Sequence, residues 1–568
     1  AGLTAGLERL RWSLSRERAG SGLYSLQLDR PKATSLVHQP RDFRPVRADR
    51  GRALLAGRYH LANGRMDLGP GGDPWDRASP SRRFAVALHR FAWLPDLLAT
   101  GEEGASEAVR LLLLWKAGFS DLTSFSWTPE TLERRTYNLA CGAWRLAEVA
   151  SVPERQILAG LVARHARRLA DQYGSVTRLA ERLTVTAIAA ATLPDQAGLK
   201  LLNRTLVRLS KALPAAVKSE GVMTTRSPEQ GMELLYDLLT LEDVLIQRGR
   251  VIPPRIAELI GSLREATRFF RMGDGRLCSF HGGGRTSELR VETVLDLAET
   301  PLDSPLQGRR SGFHRLGGPA MEVMVDAGPP PSGPWSVNAC LQPLALEILL
   351  QGERLFTGCG WTPDFGAGPD LRLAAGGCTV EVGSTSPGRL ALRSEASPLG
   401  AQLVDAPLAV QVDRHKAEDA TWLQMSYAGW ANPFGLSHHR NLYLDLSAGE
   451  LRGEDRFVPL IGASPKRRAR QFAVHFHVDP AVQVTRSEDG KSFIMELSSG
   501  RKFCLQTDAL DTYLEASDIH EQDVTWPTSQ IVLCGPISEQ DNGARVRWKL
   551  DEIAFPPLPT EPTPGDLD

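Results

Sequence analysis

The residues of this chain best placed to do chemistry cluster in two helical phrases. In "SWTPETLERRTYNL", Arg134 and Asn138 lie four residues apart and Arg135 three before Asn138, so one helical face presents cation and amide together. Such a set can neutralise a carboxylate, and Trp127 just upstream offers a platform for a sugar ring. The plainer reading of that face is a row of solvated polar side chains. Tyr137 points about 100° around the helix from Asn138 and reads as a core or groove residue. In "SEGVMTTRSPEQGMELLYDLLTL", Arg226 opens a helix whose free backbone N–H groups favour anions; it would equally serve as a salt bridge fixing the loop.

The histidines divide by context. His89 lies beside the apolar stripe of "RRFAVALHRFAWLPDLLA", where a hydrogen-bonded core histidine competes with a binding one. His475 and His477 share one strand face, which can begin a metal site, but no third ligand is evident. His438 and His439 follow a Pro-Phe-Gly turn, with one expected to point into a sheet interior. "HGGGRTSE", His281 to Glu288, lacks the Lys-Ser/Thr ending of a phosphate loop, and no Gly-x-Ser-x-Gly occurs.

The elements that must position these residues follow from periodicity. At 568 residues and 42% hydrophobic, the chain is long enough for two or more cores. From about Ser81 to Ala298 the apolar spacing is helical, as with Ile256, Leu259, Ile260, Leu263 and Phe270. Beyond about Gly308 the period becomes two, in "MEVMVDAG", "LYLDLSAGEL", "FAVHFHVD" and "SFIMELSSGRKFCLQ". About 250 residues of short strands without helices between them predict a large antiparallel sandwich. The expected divisions are an irregular Arg-rich segment at 1–75, a helical domain at 76–305, a sandwich at 306–556 and a loose Pro-rich tail at 557–568.

Sixty-six basic against 67 acidic residues give a formal charge of -1, so no global field favours nucleic acid or an anionic membrane. Seven scattered cysteines without a CxxC pair argue against a disulfide framework or zinc knuckle. No apolar run is long enough to span a bilayer, and the N-terminus lacks an apolar signal core.

Phrases in both halves, in order, resemble the heparinase II/III family of polysaccharide lyases: "LHRFAWLPDLL", "SWTPETLERRTYNL", "GVMTTRSPEQGMELLYDLLTL", "FFRMGDGRLCSFHGG", "LALEILLQGERLFTGCG", "YAGWANPFGLSHHRNLYLDLSAGELRGEDRF" and "HFHVDPAVQV". The resemblance implies an N-terminal incomplete α/α toroid of helical hairpins, then the antiparallel β-sandwich. It also implies an acidic polysaccharide partner and suggests the periplasm or cell envelope.

Lyases of this kind eliminate across a glycosidic bond after removing the proton at C5 of a uronate. The adjacent carboxylate must be neutralised and a Tyr or His base placed within hydrogen-bond reach. Carried onto this chain, the resemblance puts Gln230 where the catalytic tyrosine belongs and Met223 where a histidine is common. A glutamine cannot take that proton and a thioether cannot hold a carboxylate. In the sandwich, Asn338-Ala339-Cys340-Leu341-Gln342, Gly358-Cys359-Gly360 and Tyr427 fall where the family has a catalytic histidine and a structural zinc, so the zinc is expected to be lost and no other cofactor is expected. Two functions follow as expectations. One is a lyase in which Trp127, Arg134, Arg135, Asn138, Arg226, His89 and Asn338 bind substrate and Tyr427 or His439, aided by Asn138, carries the catalysis. The other is a non-catalytic descendant that keeps the cleft for binding a glycan or serving envelope assembly.

Overall fold

The computed structural model describes residues 2–297, 308–362, 368–392, 400–407, 409–462, 470–521, 524–538 and 543–553. The expected tail at 557–568 lies outside them. Helical hairpins built from Glu102–Gly118, Pro129–Val149, Val152–Asp171, Leu179–Ala191, Gln196–Ala216, Pro228–Gln247 and Pro254–Phe270 form the N-terminal toroid. Local chemistry fixes their starts. Ser151 and Glu154 form a capping box, and Ser227 caps the Gln230 N–H with Pro228 in the first turn. Among the described residues no helix is long and apolar enough to cross a membrane.

The first 75 residues are more ordered than their composition predicts. Helices Gly2–Ala19, Gly22–Leu28 and Ala48–Leu55 and a hairpin of Arg58–Leu61 with Gly64–Asp67 occupy them. Tyr24, Leu28, Leu54, Tyr59 and Met66 bury this segment in the core of the helical domain, and arginines add ties: Arg18 pairs with Asp171 at 3.2 Å, and Arg41 with Asp243.

The sandwich contains an eight-stranded, a five-stranded and a four-stranded antiparallel sheet. The five-stranded sheet, from Gly308–Arg310 to Glu353–Phe356, is the middle layer. Along its central strands Val323, Val325, Ile348 and Leu350 join the sandwich core, while Phe313, Met324 and Leu349 join the core of the helical domain. Both faces are therefore apolar, and Met321–Asp326 is buried at every position.

Three buried guanidiniums fasten the two halves. Arg226, from the toroid, pairs with Asp326 at the end of a middle-sheet strand and donates to the Ser311 carbonyl at 2.7 Å. Arg315 bonds Glu322 at 2.6 Å and the carbonyls of Phe269 and Arg271. Arg354 joins Glu347 to Asp274, the latter at 2.8 Å. A fourth buried charge lies within the sandwich, where Asp455 accepts from His438, Arg440 and Trp548. Gly453 makes room for the Trp548 indole, because a Cβ there would sit 2.0 Å from the ring.

Burial raises the carboxyl pKa of Asp326, but Arg226 and His281 outweigh it and hold the group below the usual range; Arg440 and His438 do the same for Asp455. Stability drawn from these pairs is complete above the unfolded carboxyl pKa of about 3.9 and falls as pH drops through the folded-state values. Asp326→Asn, which leaves Arg226 buried without its counter-charge, is expected to cost about 3–5 kcal/mol in urea unfolding at pH 7. The variant should also lose less stability than the parent between pH 4 and pH 2.

Candidate functional site

The first half of the helix Pro129–Val149 turns its polar residues inward, whereas Arg145 and Glu148 near its end are exposed. Arg134 is joined to both Asp237 oxygens, at 3.1 Å for one of them, and its Nε lies 3.3 Å from Glu133. Arg44, reaching in from the N-terminal segment, bonds Glu233 and Asp237, each at 2.9 Å. Arg178 joins Glu133, and Arg290 joins Glu233. With Asp42, which lies 3.2 Å from Arg44, and Glu181, which lies 3.6 Å from Arg178, five carboxylates meet four guanidiniums. Burial opposes ionisation of Glu233, yet Arg290, Arg44 and Arg134 bring its pKa down to about 2. The group carries no surplus positive charge for an anionic ligand.

Tyr137 is the tyrosine of this network. Its hydroxyl bonds Asp42 at 3.0 Å, Thr240 at 2.9 Å and Arg44 at 2.9 Å. Burial and the Asp42 charge raise its pKa despite Arg44, the reverse of what a catalytic base needs. Gln230 is equally committed: its amide donates to Glu181 at 2.6 Å and to the Thr177 carbonyl at 3.0 Å, and its oxygen accepts from Thr225 at 2.6 Å. Met223 is buried in the apolar core.

The other sequence-derived candidates do not converge on this network. Arg135 is fully buried, bonding His165 at 2.9 Å and the carbonyls of Ser126 and His89, with Trp115 and Trp127 packed over its guanidinium. Burial without a carboxylate lowers its pKa to about 9. Trp127 is 2% exposed and donates to the Phe119 carbonyl, so it is a wall of that cage rather than a sugar platform. His89 accepts from the Trp115 indole at 2.9 Å, and burial, followed by Arg135, lowers its pKa to about 3. Asn138 caps the carbonyls of Arg90 and Phe91 at 2.9 and 3.2 Å. Arg226 is spent on Asp326, which realises the loop-fixing reading of that residue.

The candidates in the sandwich lie apart from one another. Tyr427 faces the core, 1% exposed, and donates to the Pro407 carbonyl; burial raises its pKa. His439 is on the opposite face of the same sheet, 3.0 Å from the Ser437 hydroxyl, while its neighbour His438 points inward to Asp455. The sheet alternation thus sends the two alternative bases, Tyr427 and His439, to opposite faces. Asn338 is half-buried beside Gly282, where its carbonyl would lie 2.6 Å from an added Cβ.

The residues at the family zinc positions do not form a metal cage. Cys359 lies 3.4 Å from His477 Nδ1, which also meets Ser517 at 2.8 Å, whereas the Cys340 backbone N–H is bonded to His281. Burial pushes the Cys359 thiol up to about 12, which disfavours the thiolate a metal needs. Among the described residues no three His, Cys, Asp or Glu side chains are grouped to hold a metal ion.

The Gly-rich loop after the last long helix is an interdomain fastener. The Gly284 N–H donates to Glu229 at 3.0 Å, the Gly283 carbonyl accepts from Trp361, and the Arg285 N–H donates to the His520 carbonyl. The acidic half of the polar network was the part the sequence reading missed. Its signal was available: Glu233 and Asp237, four apart in the apolar run "GMELLYDLL", face inward and therefore require cations.

A family model described as "Heparinase II/III-like, C-terminal" matches residues 300–549. FtsZ-localized protein C of Caulobacter vibrioides (strain NA1000 / CB15N) is 41% identical over 541 residues, covering 94% of each chain. Among solved structures, heparinase III superposes with a TM-score of 0.68 at 13% identity, over 95% of this chain and 91% of that one. The heparan sulfate lyase HepC from Pedobacter heparinus gives 0.54 at 13% identity, over 96% and 87%. These likenesses run through the helical hairpins and the sandwich alike, and the chain belongs to the heparinase II/III-like family.

Proposed function

We propose that this protein is a non-catalytic member of its family that acts as a binding module at an FtsZ assembly. The observation that carries this reading is Gln230. It stands where the resemblance places the proton-abstracting tyrosine, and all of its amide hydrogen-bonding is directed to Glu181, Thr177 and Thr225. β-Elimination needs a base near neutral pKa beside an uncommitted cation. Here Arg134 and Arg44 are matched by carboxylates, and Tyr137 is held protonated within them.

An acidic polysaccharide entering this network would have to displace Asp237 or Glu233 from their guanidiniums. Breaking such a buried pair costs about 3–5 kcal/mol, and the uronate would return no more than the carboxylate it replaced. The role in FtsZ assembly is supported by the full-length likeness to FtsZ-localized protein C.

Two measurements test the reading. Incubation with a panel of uronic-acid polysaccharides should give no rise in the ultraviolet absorbance of an unsaturated uronate. Gln230→Tyr should also stay flat, because the new phenol would face Glu181 rather than an unpaired cation; a rise with the parent protein would return it to the lyases. The full chain should co-sediment with GTP-polymerised FtsZ from the same organism, and its retention in the supernatant would remove the FtsZ assignment.

A further inference from the structure

The outer face of the eight-stranded sheet carries a groove of about 610 Å³ that takes no part in the site described above. Its floor is built by register. Trp422, Tyr443, Arg452, Lys549 and Gln506 are direct cross-strand partners in five neighbouring strands. Beside that row run Gln424, Asn441, Glu454 and Arg547, paired in the same way. At about 4.8 Å between strands the first row spans roughly 19 Å, the length of about six extended residues.

We propose that this groove is a protein-docking surface and that its occupant is an acidic, extended peptide segment presented by the FtsZ assembly. The proposal rests on the reading of the chain as an FtsZ-associated module, and it adds the surface and the chemistry of recognition. Three observations favour that occupant.

The first is charge presentation. Arg452 is 60% exposed while its partner Glu450 is 10% exposed, and Arg547 is 58% exposed against 22% for Glu454. These two carboxylates lie against the sheet and their guanidiniums stand outward, while the exposed Asp508 of the lining accepts the Arg547 backbone N–H at 2.7 Å, so an approaching chain meets the guanidiniums and an acidic one is favoured. The second is the aromatic notch. Trp422, 39% exposed, and Tyr443 have ring centroids 4.8 Å apart and planes inclined at 41°, with Arg452 5.7 Å from the Tyr443 centroid. Inclined rings open a wedge for an inserted side chain, whereas a sugar ring stacks best on a flat platform. Exposed Trp, Tyr and Arg together are also the composition of interface hot spots. The third is hydrogen-bonding capacity: among the described residues the side chains of Gln424 and Gln506 make no hydrogen bond, leaving amides to meet peptide groups.

The binding mode is constrained as well. Each of the five strands is paired on both sides, so the partner cannot add a strand and must be held by side chains. Trp422 and the two arginines then carry the affinity, and binding should weaken as salt rises.

The experiment is co-sedimentation of the full-length protein with GTP-polymerised FtsZ, using Trp422→Ala/Tyr443→Ala and, separately, Arg452→Glu/Arg547→Glu. All four side chains point outward, and matching thermal melts verify folding; the charge-reversed variant preserves the test if the aromatic one melts early. The expected result is that the parent pellets, both variants bind about tenfold more weakly or worse, and raised salt releases the parent. If the parent pellets and folded variants pellet equally, the groove proposal falls while the FtsZ reading stands. If the parent does not pellet, both fall. If the variants keep FtsZ but lose affinity for oligogalacturonate that the parent binds, the groove belongs to a glycan and the peptide proposal is overturned.

Discussion

The structure depends on a carboxylate that has no access to water. Asp326 ends a strand of the middle sheet, and it is approached from the helical domain by Arg226 and, from the Gly-rich loop that follows Pro254–Phe270, by His281, which donates from Nε2 while accepting the Cys340 N–H at Nδ1. Much of the local geometry serves this contact. Arg226 holds a left-handed backbone, φ 62°, that a residue with a Cβ adopts only under constraint. Gly328 is required because a Cβ there would stand 2.5 Å from the guanidinium. The loop so anchored leads directly into the helix bearing Gln230, so the clasp between domains also fixes the orientation of that helix start.

The helical domain shows what becomes of a cleft when its charges are paired internally. A lyase must keep a cation poorly matched, so that the substrate carboxylate completes it and the developing negative charge finds donors already in place. In this chain Arg44, Arg134, Arg178 and Arg290 each have a carboxylate. The amide of Gln230 closes the circuit between two helices where a phenol would have had to move protons. Guanidiniums paired in this way organise the fold, whereas elimination chemistry needs them held open for a substrate, and the two ask opposite things of the same residues.

The sequence carried the architecture well because periodicity is a backbone property. The change from helical spacing to alternation near Gly308 is realised, and one of the two adjacent histidines does point inward, the structure selecting His438. The resemblance already set Gln230 and Met223 where the family has a tyrosine and a histidine. The site was less legible. Adjacent helix positions such as Arg134 and Arg135 differ by about 100°, and on a helix enclosed by neighbours both directions lead inside: Arg134 to acids, Arg135 to an aromatic cage. Spacing identifies a face, but only tertiary packing decides what that face meets. Tyr427 and His439, the two alternative bases, are set by strand alternation on opposite sides of the sheet, which spacing within one strand does not reveal.

The middle sheet belongs to two interiors at once. Along each strand alternate positions complete one core and the positions between them the other, so neither half of the chain owns it. Such a layer makes the boundary near Gly308 a change of architecture without being a seam. A recombination event that exchanged one half for a foreign one would strip apolar surface from both, and the two halves are bound to be inherited together. Side chains of the helical domain can therefore change one at a time while the two-part frame has to be carried whole.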